Sequence, residues 1–568
     1  MRLNGRSGGG NRGRKEGAAI RFDQNDRPKD LPKDLPKDLV AGLAVAGLMI
    51  PEGVAYAGIA GLDPARALAA GIAGGFAYAL VGRSRFAVVS PTSSSAAILA
   101  AALASLPGDA ATRAVLATVL VGMTGLIFLG AALFRLGSLS AFVSRPVLRG
   151  FAFGLAITIV IRQLPKLLGI AGIAAGNIAF MTAEIAGGLH RANPASALIG
   201  LAALTLLVMV RARWPRVPVT LAVLAAGILA SRALDLSAHG VALAGEIRLA
   251  MPTFDLPVLA AGEWARMAQL AVPIALILFA ESWGTIRTMA LRHGDAIESN
   301  RELVALGMAN MASALVRGMP VGAGFSAGAA SEAAGAQSRL TALTAALAVL
   351  LLALFATGLI AAIPEPVLAA VVIAALAHAL SPGPLVRLFR LDRDQWIALG
   401  AALGVLTLGV LNGMLAAVAL SVAALLHTYS RPRISALGRV GDGHDFVDMR
   451  QHSDARGLPG VGIYRPNAPL FFANAEGALA EVARMAAGDG AHTIVLSLEQ
   501  SADLDSTAAE ALGEFVGAES KAGRRVILAR LHDRARAVLA ASGLDGVAAT
   551  GTFSVADAVA QAMLGREQ

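Results

Sequence analysis

The 568-residue chain contains no cysteine. Disulfides, thiolate metal sites and cysteine nucleophiles are therefore excluded. Charge is scarce as well: Asp, Glu, Lys and Arg make up 15% of the residues, against a usual quarter. The nine histidines show neither HExxH nor any paired-ligand spacing, so no metal-hydrolase motif is present. No P-loop occurs, and gradients rather than ATP must drive whatever work the chain does. Gly322, Gly324 and Gly328 do not make a dinucleotide fingerprint, because no strand is expected before them. Residues 1–38 lack a separate apolar core before a cleavage site, so no cleavable signal peptide is evident. An enzyme, a metal site and a cofactor are all unexpected.

What is present is apolar. Hydrophobic residues form 56% of the chain, and runs long enough to cross a bilayer recur from Leu39 to about Thr428. The chain reads as a polytopic membrane protein. Its net charge of +9 fits basic loops that orient the spans, and nucleic-acid binding is not expected. Fourteen spans are expected, at 39–60, 66–82, 91–104, 113–134, 146–168, 195–211, 217–235, 264–290, 301–316, 323–333, 338–360, 364–380, 394–411 and 413–428. Residues 1–30 read as a disordered basic tail. Pro-Lys-Asp-Leu then occurs three times from Pro28 to Leu39, where Pro and Asp suit a helix start. Arg83/Arg85, Arg135/Arg145/Arg149, Arg211/Arg213/Arg216, Arg287/Arg292, Arg339, Arg387/Arg390/Arg393 and Arg431/Arg433 all fall on the side of that tail. The opposite loops, such as 105–112 and 236–263, are poorer in Arg and Lys, which places both termini in the cytoplasm of a bacterial-type plasma (inner) membrane.

Two costly residues mark the expected site. Pro51-Glu52 interrupts the first span, and Pro273 with Glu281 interrupts the eighth. A carboxylate at membrane depth marks a site more often than it marks packing. Two spans are too short to cross fully. One opens at Ser90-Pro91-Thr92-Ser93-Ser94-Ser95, the other at Met319-Pro320-Val321-Gly322-Ala323-Gly324-Phe325-Ser326. Glu281 follows Glu52 by 229 residues, and Pro320 follows Pro91 by the same 229. That agreement implies two halves of seven spans, at about 31–235 and 260–430, each with a broken third helix. With an odd number of spans per half, the second copy enters from the opposite face, so the repeats are inverted.

Half-helices that meet near mid-membrane offer unpaired N–H groups and the positive ends of two dipoles, which favours an anion. Thr92, Ser93, Ser326 and the backbone around Gly324 supply the candidate donors; small and hydroxyl residues also serve helix packing. Two ionised carboxylates would repel an anion, so Glu52 and Glu281 are expected to work with a proton or with sodium bound. Thr285, one turn after Glu281, is the candidate third member of that coupling-ion cluster. Arg162 and Lys166 read as interface anchors.

After Thr428 the pattern changes. Residues 431–459 read as a linker and 460–568 as a soluble α/β domain. Strands are expected at 461–465, 469–473, 493–498 and 526–531, with helices near 475–487, 506–522, 533–542 and 554–564. Asp505 precedes one of these helices and suits an N-cap.

These residues resemble a known family. Leu35-Pro36-Lys37-Asp38-Leu39-Val40-Ala41-Gly42-Leu43, followed by Ile50-Pro51-Glu52-Gly53-Val54-Ala55-Tyr56-Ala57, is similar to the first-span signature of the SulP (sulfate permease) anion transporters. Ser144-Arg145-Pro146-Val147-Leu148-Arg149-Gly150-Phe151, with Gln163-Leu164-Pro165-Lys166-Leu167-Leu168-Gly169, resembles its fifth-span signature. Asn300-Arg301-Glu302-Leu303-Val304-Ala305-Leu306-Gly307-Met308-Ala309-Asn310 resembles its ninth. The C-terminal region resembles a STAS domain, with Pro469 to Asn474 as an early strand and Leu504-Asp505-Ser506-Thr507-Ala508 as a loop before a helix.

The resemblance implies a membrane all-α fold of 14 spans as 7+7 inverted repeats, followed by a cytoplasmic α/β STAS domain. Spans one to four and eight to eleven would form a core domain that moves against a gate domain. It implies a homodimer in the lipid bilayer that moves a small inorganic or organic anion, such as sulfate, bicarbonate or a dicarboxylate, with H+ or Na+ as coupling ion. Tyr56, Thr92, Ser93, Gly324, Phe325 and Ser326 are the implied substrate-binding set. Asp505 and Ser506 are the implied regulatory pair, through phosphorylation of the serine. Two departures stand out: the family's frequent Gln is Glu52 here, and the Arg that often follows the tenth-segment serine is Ala327. Acidic residues at both central positions resemble the bacterial proton-coupled dicarboxylate branch. The alternatives are an uncoupled anion channel, a nucleobase–proton symporter of the same fold, and a membrane-anchored STAS sensor.

Overall fold

A computed structural model describes residues 35–137, 144–173, 178–214, 219–245, 247, 249, 260–377, 379–391 and 394–564. The basic tail, the first Pro-Lys-Asp-Leu copies, Arg216 and Arg393 lie outside the described residues. Two compact units form, one from residues 35–137 and 148–414, the other from 144–147 and 415–564.

Among its described residues the first unit is helical apart from one strand pair and an isolated bridge between Leu243 and Pro364. Its elements are α1 (Leu35–Ala60), α2 (Pro64–Val81), β1 (Val89–Pro91), α3 (Ser93–Ala104), α4 (Ala110–Leu133), α5 (Arg145–Leu168), α6 (Ile178–Gly188), α7 (Pro194–Arg213) and α8 (Val219–Ala233). There follow α9 (Ala261–His293), α10 (Ser299–Leu315), β2 (Val321–Ala323), α11 (Phe325–Ala333), α12 (Leu340–Phe355), α13 (Thr357–Ala361), α14 (Glu365–Leu376), α15 (Gly383–Leu391) and α16 (Gln395–Leu408). α17 (Val410–Ser430) crosses the division between the units.

A helix occupies each expected span. Among the described residues seven are long and apolar enough to cross a membrane by length and composition; α3, α8, α12, α14 and α16 are apolar but shorter. The expected 338–360 span is broken at Ala356, whose backbone (φ −126°, ψ 28°) leaves the helical region, so α12 and α13 share it. α6 was not expected from the sequence, nor was the amphipathic α15.

α1 is enclosed by protein over most of its length and packs along α12 and α2, while α10 packs along α4 and α2. Two acidic groups buried in this bundle are paired. Glu302 of α10, with no exposed surface, accepts from Tyr78 Oη at 2.6 Å and Arg83 N at 3.0 Å. Asp38 of the third Pro-Lys-Asp-Leu copy does more than start its own helix. It accepts from Gln337 N (2.7 Å), Ser338 N (3.1 Å), Ser338 Oγ (2.5 Å) and Thr341 Oγ1 (2.9 Å), satisfying the approach to α12. The two halves are thus stitched where α1 and α12 begin.

β1 and β2 pair antiparallel, Val89 with Ala323, Ser90 with Gly322 and Pro91 with Val321. A two-fold axis through the Ser90–Gly322 pair generates this register. The caps that start α3 and α11, Thr92 and Gly324, each lie two residues beyond that axis pair. Equivalent backbone positions here are therefore 232 residues apart, as 90 is from 322. The 229-residue match of Pro91 to Pro320 does not mark equivalent positions, because Pro91 lies inside β1 and Pro320 precedes β2. β2 also supplies a short strand before Gly324, where none was expected.

The second unit carries a mixed sheet, β3 (Ile434–Val440), β4 (Phe446–Asp448), β5 (Ala455–Arg456), β6 (Val461–Pro466), β7 (Thr493–Ser497) and β8 (Arg525–Ala529). The order is β4-β3-β6-β7-β8, with β5 also on β3; β6, β7 and β8 are parallel and β3 is antiparallel to β6. Its helices are α18 (Ala475–Gly488), α19 (Ser506–Lys521), α20 (Asp533–Ala541), α21 (Asp545–Ala549) and α22 (Val555–Leu564). Alternation sorts the two faces: Ile494 and Leu496 pack with Leu479, Val482 and Leu512, whereas Val495 packs with Val559 and Ala562.

Two sequence expectations change. The 431–459 stretch carries β3, β4 and β5 as part of the sheet and is not a bare linker. The expected strand at 469–473 is absent, because its amides are spent on side chains: Leu470 N on Ser501 Oγ (3.0 Å), Phe471 N on Asn474 Oδ1 (2.9 Å) and Phe472 N on Asp505 Oδ2 (2.7 Å).

Candidate transport site

The strand pair sets where α3 and α11 begin. Asn310 grips β2 with its amide: Nδ2 donates to Val321 O at 2.8 Å and Oδ1 accepts from Val321 N at 3.0 Å. Ser282 Oγ accepts from Ala323 N at 3.0 Å, and Ser95 Oγ donates to Pro320 O at 3.0 Å. Gly322 is required by close approach, since a Cβ there would lie 2.5 Å from Leu278 Cδ1 and 2.6 Å from Ser282 Oγ. α3 is capped by Thr92, whose Oγ1 accepts from Ser95 N while Thr92 N donates to Ser95 Oγ. Gly324 has no side chain to cap α11 with.

The second residue of each short helix is a serine, and each meets a glutamate of the other half. Ser326 Oγ donates to Glu52 Oε1 at 2.9 Å. Thr92 Oγ1 donates to Glu281 Oε2 at 3.1 Å, and Ser94 Oγ donates to the same oxygen. The carboxylate on α1 thus serves α11, and the carboxylate on α9 serves α3. Glu52 is buried and Glu281 is half-buried. Tyr56, one turn after Glu52 and also buried, lies beside the side chains of Glu52 and Ser93. Ser93 and Phe325, the first residues of their helices, are half-buried.

Thr285 stands apart. It is buried and makes no hydrogen bond to Glu281 among the described residues; its Cγ2 faces Gly328, where a Cβ would come within 3.3 Å. Lys166 Nζ lies 3.8 Å from Glu365 Oε1, bridging α5 to α14. Ala327 is 1% exposed and sits in an apolar cluster, so no cation stands at that place. In the second unit Asp505 caps α19, accepting from Ala508 N at 2.8 Å, and holds Phe472 N; Ser506 beside it is exposed.

Two contributors escaped the sequence reading. Ser94 was passed over for Ser93, although only the helix phase set by the Thr92 cap separates the three adjacent serines. Arg211, near the end of α7, lies within electrostatic range of Glu52 and donates from Nη1 to Ala374 O at 3.1 Å. A residue so remote in sequence leaves no local signal.

Comparison with known proteins fixes the family. The sulfate permease family matches residues 35–401, more than half of the chain, and the STAS domain matches 452–562. The chain belongs to the sulfate permease family. A probable sulfate transporter of Mycobacterium tuberculosis (strain H37Rv) is 35% identical over 531 residues, covering 92% of this chain and 94% of its own. High affinity sulfate transporter 2 of Stylosanthes hamata is 28% identical over 86% of this chain and 78% of its own. Among solved structures, the murine solute carrier 26 family member A9 anion transporter in its inward-facing state superposes with a TM-score of 0.84 at 22% identity, covering 94% of this chain and 92% of that one. The transmembrane domain of a cyanobacterial bicarbonate transporter, BicA, gives 0.60 at 26% identity, over 68% of this chain and 98% of that one. This sulfate permease is a multi-pass membrane anion transporter with a C-terminal STAS domain, and not an enzyme.

Proposed function

We propose that this sulfate permease is a proton-coupled secondary active transporter whose first substrate to test is sulfate, with bicarbonate and C4-dicarboxylates behind it. The observation that carries the reading is the crossed pairing of Glu52 with Ser326 and of Glu281 with Thr92 and Ser94. While ionised, these carboxylates occupy hydroxyls at the starts of α3 and α11, where an anion would find its donors. Protonation removes the repelling charge and loosens the hold on those hydroxyls, so substrate and proton enter together. Sulfate comes first because relatives from bacteria and plants are named for it. Movement of the core against the gate would expose the site to each side in turn, in a homodimer with both termini in the cytoplasm.

The test is uptake of labelled sulfate, fumarate and bicarbonate into proteoliposomes, with and without an inward proton gradient. Proton-stimulated uptake of one anion supports the proposal and names the substrate. Uptake that follows sodium and ignores pH would replace the proton by sodium. Uptake indifferent to both would make the protein an uncoupled channel.

A further inference from the structure

The face of α9 opposite Glu281 carries a second polar site. A cavity of about 680 Å³ lies between the end of α9, the 295–301 segment and the link after α2. Arg83, Arg287 and Arg301 line it together with Trp283. Arg287 and Arg301 make no hydrogen bond or salt bridge among the described residues, and Arg301 lies within electrostatic range of Glu302. Of the acidic groups in the lining, Asp295 is engaged by Arg85 at 2.9 Å, which leaves Glu298 as the acidic group beside Arg287 and Arg301.

The surface leading to the cavity is apolar. Val272 (50% exposed) and Leu276 (39%) precede the half-buried Trp283 along α9, and Leu291 (67%) flanks the mouth. From Val272 to Arg287 the helix rises about 22 Å at 1.5 Å per residue, about the thickness of one leaflet with its headgroups, half of about 40–45 Å. An apolar track that ends in a cluster of cations matches an amphiphile with an anionic head. A soluble anion would use the guanidinium groups but leave the track unused.

We propose that this cavity binds the headgroup of an anionic phospholipid, with the phosphate between Arg287 and Arg301 and an acyl chain along Trp283, Leu276 and Val272. The site is separate from the transport site. Trp283 faces away from Glu281, two residues earlier on the same helix, so lipid there reaches the coupling glutamate only through α9 itself.

Trp283 supplies the reporter. In the full-length protein with Trp214, Trp264 and Trp396 replaced by Phe, its fluorescence is read in vesicles containing brominated phosphatidylglycerol or brominated phosphatidylcholine at equal mole fraction. Each Arg near an anionic headgroup is worth about fivefold in partitioning. The phosphatidylglycerol form should quench more strongly, and Arg287→Gln with Arg301→Gln should cut that preference by about 25-fold. Arg287→Lys with Arg301→Lys should largely keep it, separating charge from misfolding. Equal quenching by the two lipids in the protein with both arginines would overturn the proposal. So would relief of phosphatidylglycerol quenching by soluble glycerol phosphate alone, which would assign the cavity to a free anion.

Discussion

Replacing Glu281 by glutamine probes the coupling most directly. In the structure its carboxylate takes hydrogen bonds from Thr92 and Ser94. A hydrogen bond to a charged acceptor contributes about 1.5–3 kcal/mol, and a neutral one about 0.5–1.5. Glutamine keeps the shape but loses about 1 kcal/mol of hold per bond, or about 2 kcal/mol for the pair. That is about a 30-fold shift towards free hydroxyls, the condition proposed for substrate entry. The variant cannot release a proton on the far side. Wild-type vesicles with an inward gradient of one pH unit should accumulate substrate about tenfold for each proton carried. Glu281→Gln should equilibrate without accumulating, yet still exchange labelled for unlabelled substrate. Accumulation by Glu281→Gln equal to wild type and still driven by pH would refute coupling through this residue. Loss of both accumulation and exchange would mean that the amide does not imitate the protonated acid.

Four other substitutions report on separate parts of the fold. Ser94→Ala removes one of the two donors to Glu281 and should weaken the pH dependence of uptake more than Ser93→Ala, measured as the slope of initial rate against pH. Gly322→Ala drives a methyl into Leu278 and Ser282, so the melting temperature of purified protein should fall by an amount corresponding to about 1–3 kcal/mol, with uptake lost. Asp38→Asn keeps the oxygen that takes Gln337 N, Ser338 N and Thr341 Oγ1 but loses the charge and the second oxygen that accepts from Ser338 Oγ, and should destabilise by about 2 kcal/mol in the same melt, with Asp38→Glu giving partial rescue. Asp505→Ala should cost about 1–2 kcal/mol through loss of the α19 cap, whereas Asp505→Asn keeps the capping oxygen and should cost less, read by protease resistance of the C-terminal unit.

How much of this was legible depends on the range of the interaction. Long apolar runs announce helices by themselves, which is why Leu39–Ala60 and the 113–134 stretch lie where α1 and α4 form. α15 escaped because nine residues interrupted by Arg387 and Arg390 fall below spanning length, even though their apolar positions follow helical phase. The 469–473 stretch was misread because its apolar residues look like a strand. What decided the outcome were Ser501 and Asp505, about 30 residues away, which take the amides a sheet would need. A periodicity argument cannot see a partner at that distance.

The repeat shows the same limit more sharply. Counting from one carboxylate to the other gives 229 residues, yet the strand register and the helix caps require 232. The difference is three residues more between Glu281 and Gly324 than between Glu52 and Thr92, so the two prolines that match by number fall on different sides of a strand. Position within the helix, not position in the count, is what brings Ser94 and Ser326 to the glutamates: both are the second residue after their caps. An anion between α3 and α11 would meet like positions from the two halves, but the halves differ in chemistry. The Thr92 side chain caps its helix and also binds Glu281, whereas Gly324, the cap residue of α11, has no side chain for either bond. The α11 side therefore offers more unclaimed backbone and the α3 side more hydroxyls, and substitution at Thr92 should change substrate preference where substitution at Gly324 changes packing.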